Sequence, residues 1–164
     1  MNFNSTLYSK IFQYNETAEL LSKIDKKINS KLVFTNGCFD ILHSGHADYL
    51  SKARDLGDIL VVGLNSDQSV QRIKGKLRPI VSERNRAILL AAMSFVDFVI
   101  FFNEDTPFEL IQTIKPDILV KGGDYSIDTI VGADLVKSMG GEVSVIPFLD
   151  GFSSTDIINK IKNQ

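Results

Sequence analysis

The sequence predicts an α/β protein: a doubly wound, five-stranded parallel sheet with helices on both faces. Three observations predict it. Short, β-rich apolar runs alternate along the chain with amphipathic segments, the pattern of strands joined by crossover helices. The runs are continuous rather than alternating in polarity, as strands covered on both faces require. Helix stops stand where the scheme needs them, with Gly140-Gly141 after one amphipathic segment and Pro116 parting another from the next strand.

In chain order, residues 1–15 are expected to be loosely ordered, as unanchored termini are, and residues 16–164 to form one domain. An opening helix is expected over 16–28. Strands follow at KLVFTN (31–36), ILVVGL (59–64), FVIFF (98–102), DILVK (117–121) and EVSVIPF (142–148). Helical patterns fill 45–56, 82–94, 107–114 and 130–139, and a closing helix starts near Ser153.

Composition narrows the classes. With 44% hydrophobic and 23% charged residues in 164, the chain reads as an ordinary globular domain able to bury a core without disulfides or structural metal. The single cysteine, Cys38, cannot pair within the chain, which fits a reducing compartment and excludes a zinc cluster. No basic start followed by an apolar run marks a signal peptide. The most apolar stretch, 87–102, is short for a bilayer and is interrupted by Ser94 and Asp97. A formal charge of −2 gives no reason to expect nucleic acid or an anionic membrane as partner. The expectation is a cytoplasmic protein.

The chemistry concentrates in TNGCFDILHSGH (35–46), which holds both histidines of the chain. In this layout it is the first strand-to-helix turn, beyond a strand's carboxyl end, where ligands of open α/β sheets bind. A helix starting near Ser44 or Gly45 offers unpaired N–H groups and a positive dipole end to phosphate. His43 and His46, three apart, project to one side. Gly45 lets a phosphate or nucleobase approach the backbone. Two imidazoles aimed at one anionic spot suit stabilisation of charge that grows during a reaction. Neither a zinc ligand set nor a three-glycine dinucleotide fingerprint is present.

Strand, Gly37, Phe39, Asp40 and His43-Ser44-Gly45-His46 together resemble the His-x-Gly-His signature of a nucleotidyltransferase superfamily with a Rossmann-like fold. Its members move a nucleoside monophosphate from a triphosphate onto a phosphate-bearing acceptor. Residues 71–86, QRIKGKLRPIVSERNR, carry six basic residues against one acid, Glu83. A charge run of this kind is usually a solvated loop, and no aromatic is interleaved for base stacking. The superfamily places a Lys-Gly…Arg-Pro loop here and an Arg in the following helix. By that resemblance Lys74, Arg78 and Arg86 meet acceptor or triphosphate oxygens. GFSSTDIINKI (151–161) is similar to the superfamily's closing signature. Ser153 or Ser154 alone reads as a helix cap; with the first motif it becomes a second phosphate cradle. Lys160 stands where many relatives carry Arg.

Lys-Gly-Gly-Asp-Tyr (121–125) resembles one subgroup, the D-glycero-β-D-manno-heptose 1-phosphate adenylyltransferases, which occur as half of bifunctional ADP-heptose synthases or as separate proteins. LNSDQSV (64–70), IKGKLRP (73–79) and NEDTPFELI (103–111) share that likeness. Asn65, Ser66 and Asp67 read equally as an Asx turn capping a helix, Tyr125 as a stacking ring or a cover for the sheet end, and Cys38 as a small buried hydrophobe.

The resemblance implies transfer of AMP from ATP to a sugar 1-phosphate, with His43, His46, Lys74 and Arg78 catalytic. It sets the nucleotide against Thr35, Asn36, Gly37, Phe39, Asp40, His43, Gly45 and His46. Lys121, Gly122 and Asp124 join from the fourth strand's end, and Ser153, Ser154 and Thr155 from the closing turn. The acceptor falls against Asp40, Lys74, Arg78, Arg86 and Asp124. Mg²⁺ is expected from triphosphate chemistry rather than from a ligand cluster. The stand-alone form is expected, with a separate heptose-phosphate kinase in the pathway and a product that feeds a bacterial surface polysaccharide such as lipopolysaccharide. Glycerol-3-phosphate cytidylyltransferases share the fold and the histidine pair, and a nucleotide-binding module without turnover is the reading outside the enzymes. Monomer and homodimer stay open.

Overall fold

The computed structural model describes residues 2–24, 30–123, 126–149 and 151–163. Its centre is a parallel sheet of six strands, not five: β1 (Ile11–Phe12), β2 (Leu32–Gly37), β3 (Ile59–Asn65), β4 (Phe98–Phe102), β5 (Ile118–Gly122) and β6 (Glu142–Ile146), in the order β1-β4-β3-β2-β5-β6. The five expected strands are present. The extra one falls within the first fifteen residues. There α1 (Phe3–Tyr8) leads into β1, which pairs Ile11 with Val99 and Phe12 with Ile100 along the edge of β4. Two residues are too few for a periodicity to reveal; burial of Phe12, 2% exposed, holds them to the sheet.

Alternation along each strand feeds two cores. Val33, Leu60, Val62, Leu64 and Val99 face one side, under α3 (Ser44–Arg54) and α5 (Glu83–Ala91). Phe34, Val61, Ile100 and Phe102 face the other, under α2 (Thr17–Lys23), α6 (Phe108–Ile114) and α7 (Ala133–Ser138). A sheet apolar on both faces produces the unbroken runs seen in the sequence. Within the segment expected as a basic loop, residues 71–74 instead finish a helix, α4 (Asp67–Lys74), capped by Ser66, whose hydroxyl accepts the Ser69 N–H. Residues 25–28 of the expected opening helix lie outside the described residues.

The amino ends of the strands are closed by carboxylates. Asp117 accepts the N–H of Leu32, Asp97 that of Leu60 and Asp58 that of Lys31. The carboxyl ends are where the strand order reverses, β3 and β4 lying to one side of β2, and β5 and β6 to the other. Such a switch point leaves a crevice. Among the described residues no helix is long and apolar enough to cross a membrane.

Candidate active site

A cavity of about 460 Å³ opens at that switch point, lined by the carboxyl ends of β2, β3 and β5. The β2–α3 turn forms one wall. Phe39 and Ile41, on either side of Asp40, both hold left-handed backbone angles (φ 47° and 50°), which are costly for a residue with a Cβ and most of all for β-branched Ile41. Asp40 holds the turn in that shape. It is 2% exposed, and its carboxylate accepts the N–H groups of Ile80 and Val81 (both 2.9 Å) and Nε of Arg78 (2.7 Å). Burial by itself would push this carboxyl up; the Ile80 and Val81 bonds, then Arg78, outweigh it and hold the group below the usual carboxylate range. The carbonyl of Asp40 accepts the Ser154 hydroxyl. One residue therefore ties together the histidine turn, the basic segment and the closing helix α8 (Ser154–Lys162).

The next turn carries the histidines. His43 is extended (φ −139°, ψ 171°) and α3 begins immediately after it. The spacing of three places the two imidazoles face to face, centroids 3.8 Å apart and planes 27° from parallel. Phe39 meets His46 edge-on at 5.4 Å, and Phe152 lies near-parallel to His43 at 6.4 Å. His46 lines the cavity and His43 stacks on it from outside the lining. Burial lowers the His43 pKa. His46 is brought down to about 4 by burial first, then by the charges of His43 and Lys74, with Asp40 pulling the other way. Both rings are neutral at neutral pH. The Nδ1 of His46 accepts the His43 N–H over a long 3.4 Å, which leaves its proton, a hydrogen-bond donor, on Nε2.

The other expected site residues divide. Asn36, Gly37, Phe39, Asp40, Lys74 and Ser154 line the cavity, as do Lys121 and Gly122. Lys121 donates to Asn36 Oδ1 (3.3 Å), and burial lowers its pKa. A Cβ on Gly122 would come within 2.5 Å of the Phe148 ring, so only glycine admits that ring at the strand end. Lys74 ends α4 at the cavity edge. Arg78 is off the lining, but its second terminal nitrogen is buried with no partner among the described residues, a donor that an anion would satisfy. Ser153 caps α8 by accepting the Asp156 N–H (3.0 Å), and Thr155 is exposed away from the cavity. Asp124 and Tyr125 lie outside the described residues.

Three residues are placed differently from the expectation. Arg86, expected on the acceptor, is completely buried. Its guanidinium donates to the carbonyls of Val81 (2.9 Å) and Cys38 (2.5 Å) and to Asp67 (2.7 Å), so it braces the site from behind. The reason is helical geometry: Arg86 shares the inward face of α5 with Ala87, Leu90 and Ala91. Its spacing of four from Leu90 was the available signal. Thr35 is also fully buried, its hydroxyl 2.5 Å from that of Tyr49. Gly45 does not face an open approach, because a Cβ there would stand 3.1 Å from both the His43 ring and Phe152 Cβ. Tyr49, one helical step beyond His46, and Phe148 line the cavity without having been expected; the interval His46 to Tyr49 was the trace of the first. Among the described residues no three of His, Cys, Asp and Glu converge on a metal position, and the Asp40 carboxylate is taken by the 78–81 segment.

Known proteins are similar to this chain. The cytidylyltransferase-like family profile matches residues 34–160. Bifunctional protein HldE of Syntrophotalea carbinolica is 53% identical over 154 residues, covering 94% of this chain and 31% of the relative. The HldE of Campylobacter curvus is 53% identical over 160 residues, covering 98% and 33%. The chain thus spans about a third of the length of these curated relatives. Among solved structures, a lipopolysaccharide core biosynthesis protein from Thermoplasma volcanium superposes with a TM-score of 0.59 at 33% identity, covering 74% of this chain and 98% of that one. Pantothenate synthetase from Thermus thermophilus, at 18% identity and TM-score 0.58, shares the fold.

Proposed function

The chain belongs to the cytidylyltransferase-like family of nucleotidyltransferases, and from that premise we propose that it transfers AMP from ATP to a sugar 1-phosphate, D-glycero-β-D-manno-heptose 1-phosphate, giving ADP-heptose and pyrophosphate. The observation that carries this reading is the convergence of the His43–His46 turn, Ser154 at the start of α8 and Lys121-Gly122 on one cavity at the strand switch point. The relatives named HldE and the neighbour described as a lipopolysaccharide core biosynthesis protein support the acceptor class.

In this mechanism an oxygen of the acceptor phosphate, already ionised, attacks the α-phosphorus. The bond from that phosphorus to the bridging oxygen breaks, and pyrophosphate leaves with the electron pair. No proton has to be removed, so a neutral imidazole is no handicap. The Nε2–H of His46 donates to the α-phosphate as its charge redistributes, with His43 stacked behind it. Lys74 and Arg78 meet phosphate oxygens, Asp40 and Arg86 hold the segment that presents Arg78, and the first turn of α8 receives the outer phosphates. A divalent cation, Mg²⁺ by preference, would enter on the triphosphate, since the described residues supply no cage for it; it would offset phosphate charge. Kinase action on the sugar is expected from a separate protein or from the part of the relatives that this chain does not span.

Pyrophosphate release tests the assignment: Mg²⁺, each nucleoside triphosphate in turn, and either anomer of heptose 1-phosphate or glycerol 3-phosphate. Release confined to ATP with a heptose 1-phosphate is expected. Release with CTP and glycerol 3-phosphate would keep the chemistry and overturn the substrates. Nucleotide binding without release from any pair would leave a non-catalytic module. His46→Ala should lower turnover by about two orders of magnitude or more in folded protein; near-normal turnover would remove His46 from the mechanism.

A further inference from the structure

We propose that Phe152 is a positioning residue for the histidine pair: it closes on His43 across Gly45 and seats the two imidazoles face to face beside the cavity. Three rings lie near-parallel in sequence, Phe152 on His43 (6.4 Å, 22°) and His43 on His46 (3.8 Å, 27°), and Phe39 closes the row edge-on against His46 (5.4 Å, 62°). The stack joins the first motif of the chain to the last. Phe152 is not there to fill the core: it is 46% exposed, and α8, which follows it, has no buried residue. Its Cβ takes the place that a side chain at position 45 would need, 3.1 Å from the ideal Cβ. The missing side chain of Gly45 thus makes room for Phe152 and the His43 ring together.

Two stacked imidazoles repel when both are charged, so the stack disfavours their simultaneous protonation. Covering His43 with an aromatic ring excludes the water that would favour its protonation. The ionisable groups that bear on the pair are few. His43, Lys74 from α4 and Asp40 from the β2–α3 turn act on His46, while burial is what bears on His43. From the α8 side comes uncharged Phe152, with Asp156 the acidic residue of the first turn. A purely structural role competes with the proposal, because Phe152 precedes the N-cap Ser153 and can staple the helix against Ile157. Leucine would keep such a staple and lose the flat ring.

The chain has two histidines, so the imidazole NMR signals of the whole protein report this pair alone. The experiment titrates both signals in the wild type, Phe152→Leu and Phe152→Ala, and measures pyrophosphate release in the same samples. Phe152→Ala should raise the His43 midpoint toward the ordinary histidine value, as rehydration requires, with Phe152→Leu between. Turnover in Phe152→Ala should fall about tenfold while KM for ATP moves less, the sign of lost transition-state geometry. Unchanged midpoints in both folded variants, with only stability altered, would overturn the inference and leave a staple. The turnover part rests on the proposed transfer reaction. Shifted midpoints with unchanged turnover would uphold the seating role and strike the catalytic use of the histidines instead.

Discussion

The cavity has two unlike walls. The β2–α3 turn, one wall, is held from behind by ions on residues 78–86, which lie off the lining: Asp40 at 2% exposure bonded to Arg78, and Arg86 at 0% bonded to Asp67. The reciprocal bonds of Asp67 and Glu83, each carboxylate accepting the other's backbone N–H, lock the starts of α4 and α5 to the same brace. The opposite wall, Phe148 to α8, has half-exposed aromatics and a helix with no buried residue, attached through the Ser154–Asp40 bond and the Phe152 stack. Buried, paired charges define one geometry at high cost of disruption. Surface contacts define it weakly. The difference teaches that the β2–α3 turn is fixed by buried charges of the folded chain, while α8 is attached by surface contacts.

The largest break in this contrast should come from Arg86→Ala. It leaves the Cys38 and Val81 carbonyls without their guanidinium donor and Asp67 with the Glu83 N–H but no cation, and denaturant unfolding should show a loss of about 3–5 kcal/mol. A loss no greater than that of a surface cap would mean the brace is not what holds the first wall.

Acid should expose the two walls' shared dependence on neutral imidazole and ionised Asp40. The folded pKa of His46 is about 4 against an ordinary 6.5, and that of Asp40 lies below its ordinary 3.8. In both cases the unfolded chain binds protons first, so stability is complete above about pH 6.5 and falls on acidification. The His46 share is lost between 6.5 and about 4, and the Asp40 share below 3.8. Asp40→Asn should lower stability at pH 7 by roughly 1–3 kcal/mol, abolish the loss at lowest pH and keep the one above it. A retained low-pH loss in that variant would assign it to another carboxylate.

The smallest effect belongs to the second wall. Ser154→Ala removes the one hydroxyl bond to the Asp40 carbonyl and should cost about 0.5–1.5 kcal/mol. Amide exchange should quicken in α8 with the sheet unaffected, and KM for ATP should rise more than kcat falls. Faster exchange spread through β2 and α3 would show that α8 is integral to the core after all.

Much of this was legible in the chain itself. The five main strands are long enough for continuous apolar runs to mark them, and the His43–His46 spacing puts both rings on one helical turn. The edge strand was not legible, because two residues carry no period and are recruited by the neighbouring β4. Nor were the roles of charged residues that look alike in sequence. Lys74, Arg78 and Arg86 belong to one basic run, yet one reaches the cavity, one is tied to Asp40 and one is sealed behind the site.

Local physics is enough for the first kind of fact. Residue type and spacing along the chain set strand, helix and turn, and so determined the fold class, the location of the histidine turn and the pairing of the histidines. Which groups meet across 38 residues between Asp40 and Arg78, or 114 between Asp40 and Ser154, depends on how the crossovers pack. Only the tertiary structure decided that the Asp40 carboxylate meets Arg78 and the 80–81 backbone, that Arg86 is buried behind the cavity, and that Phe152 lies against Gly45 and His43. Those contacts are between segments whose separation in sequence carries no record of their distance in space.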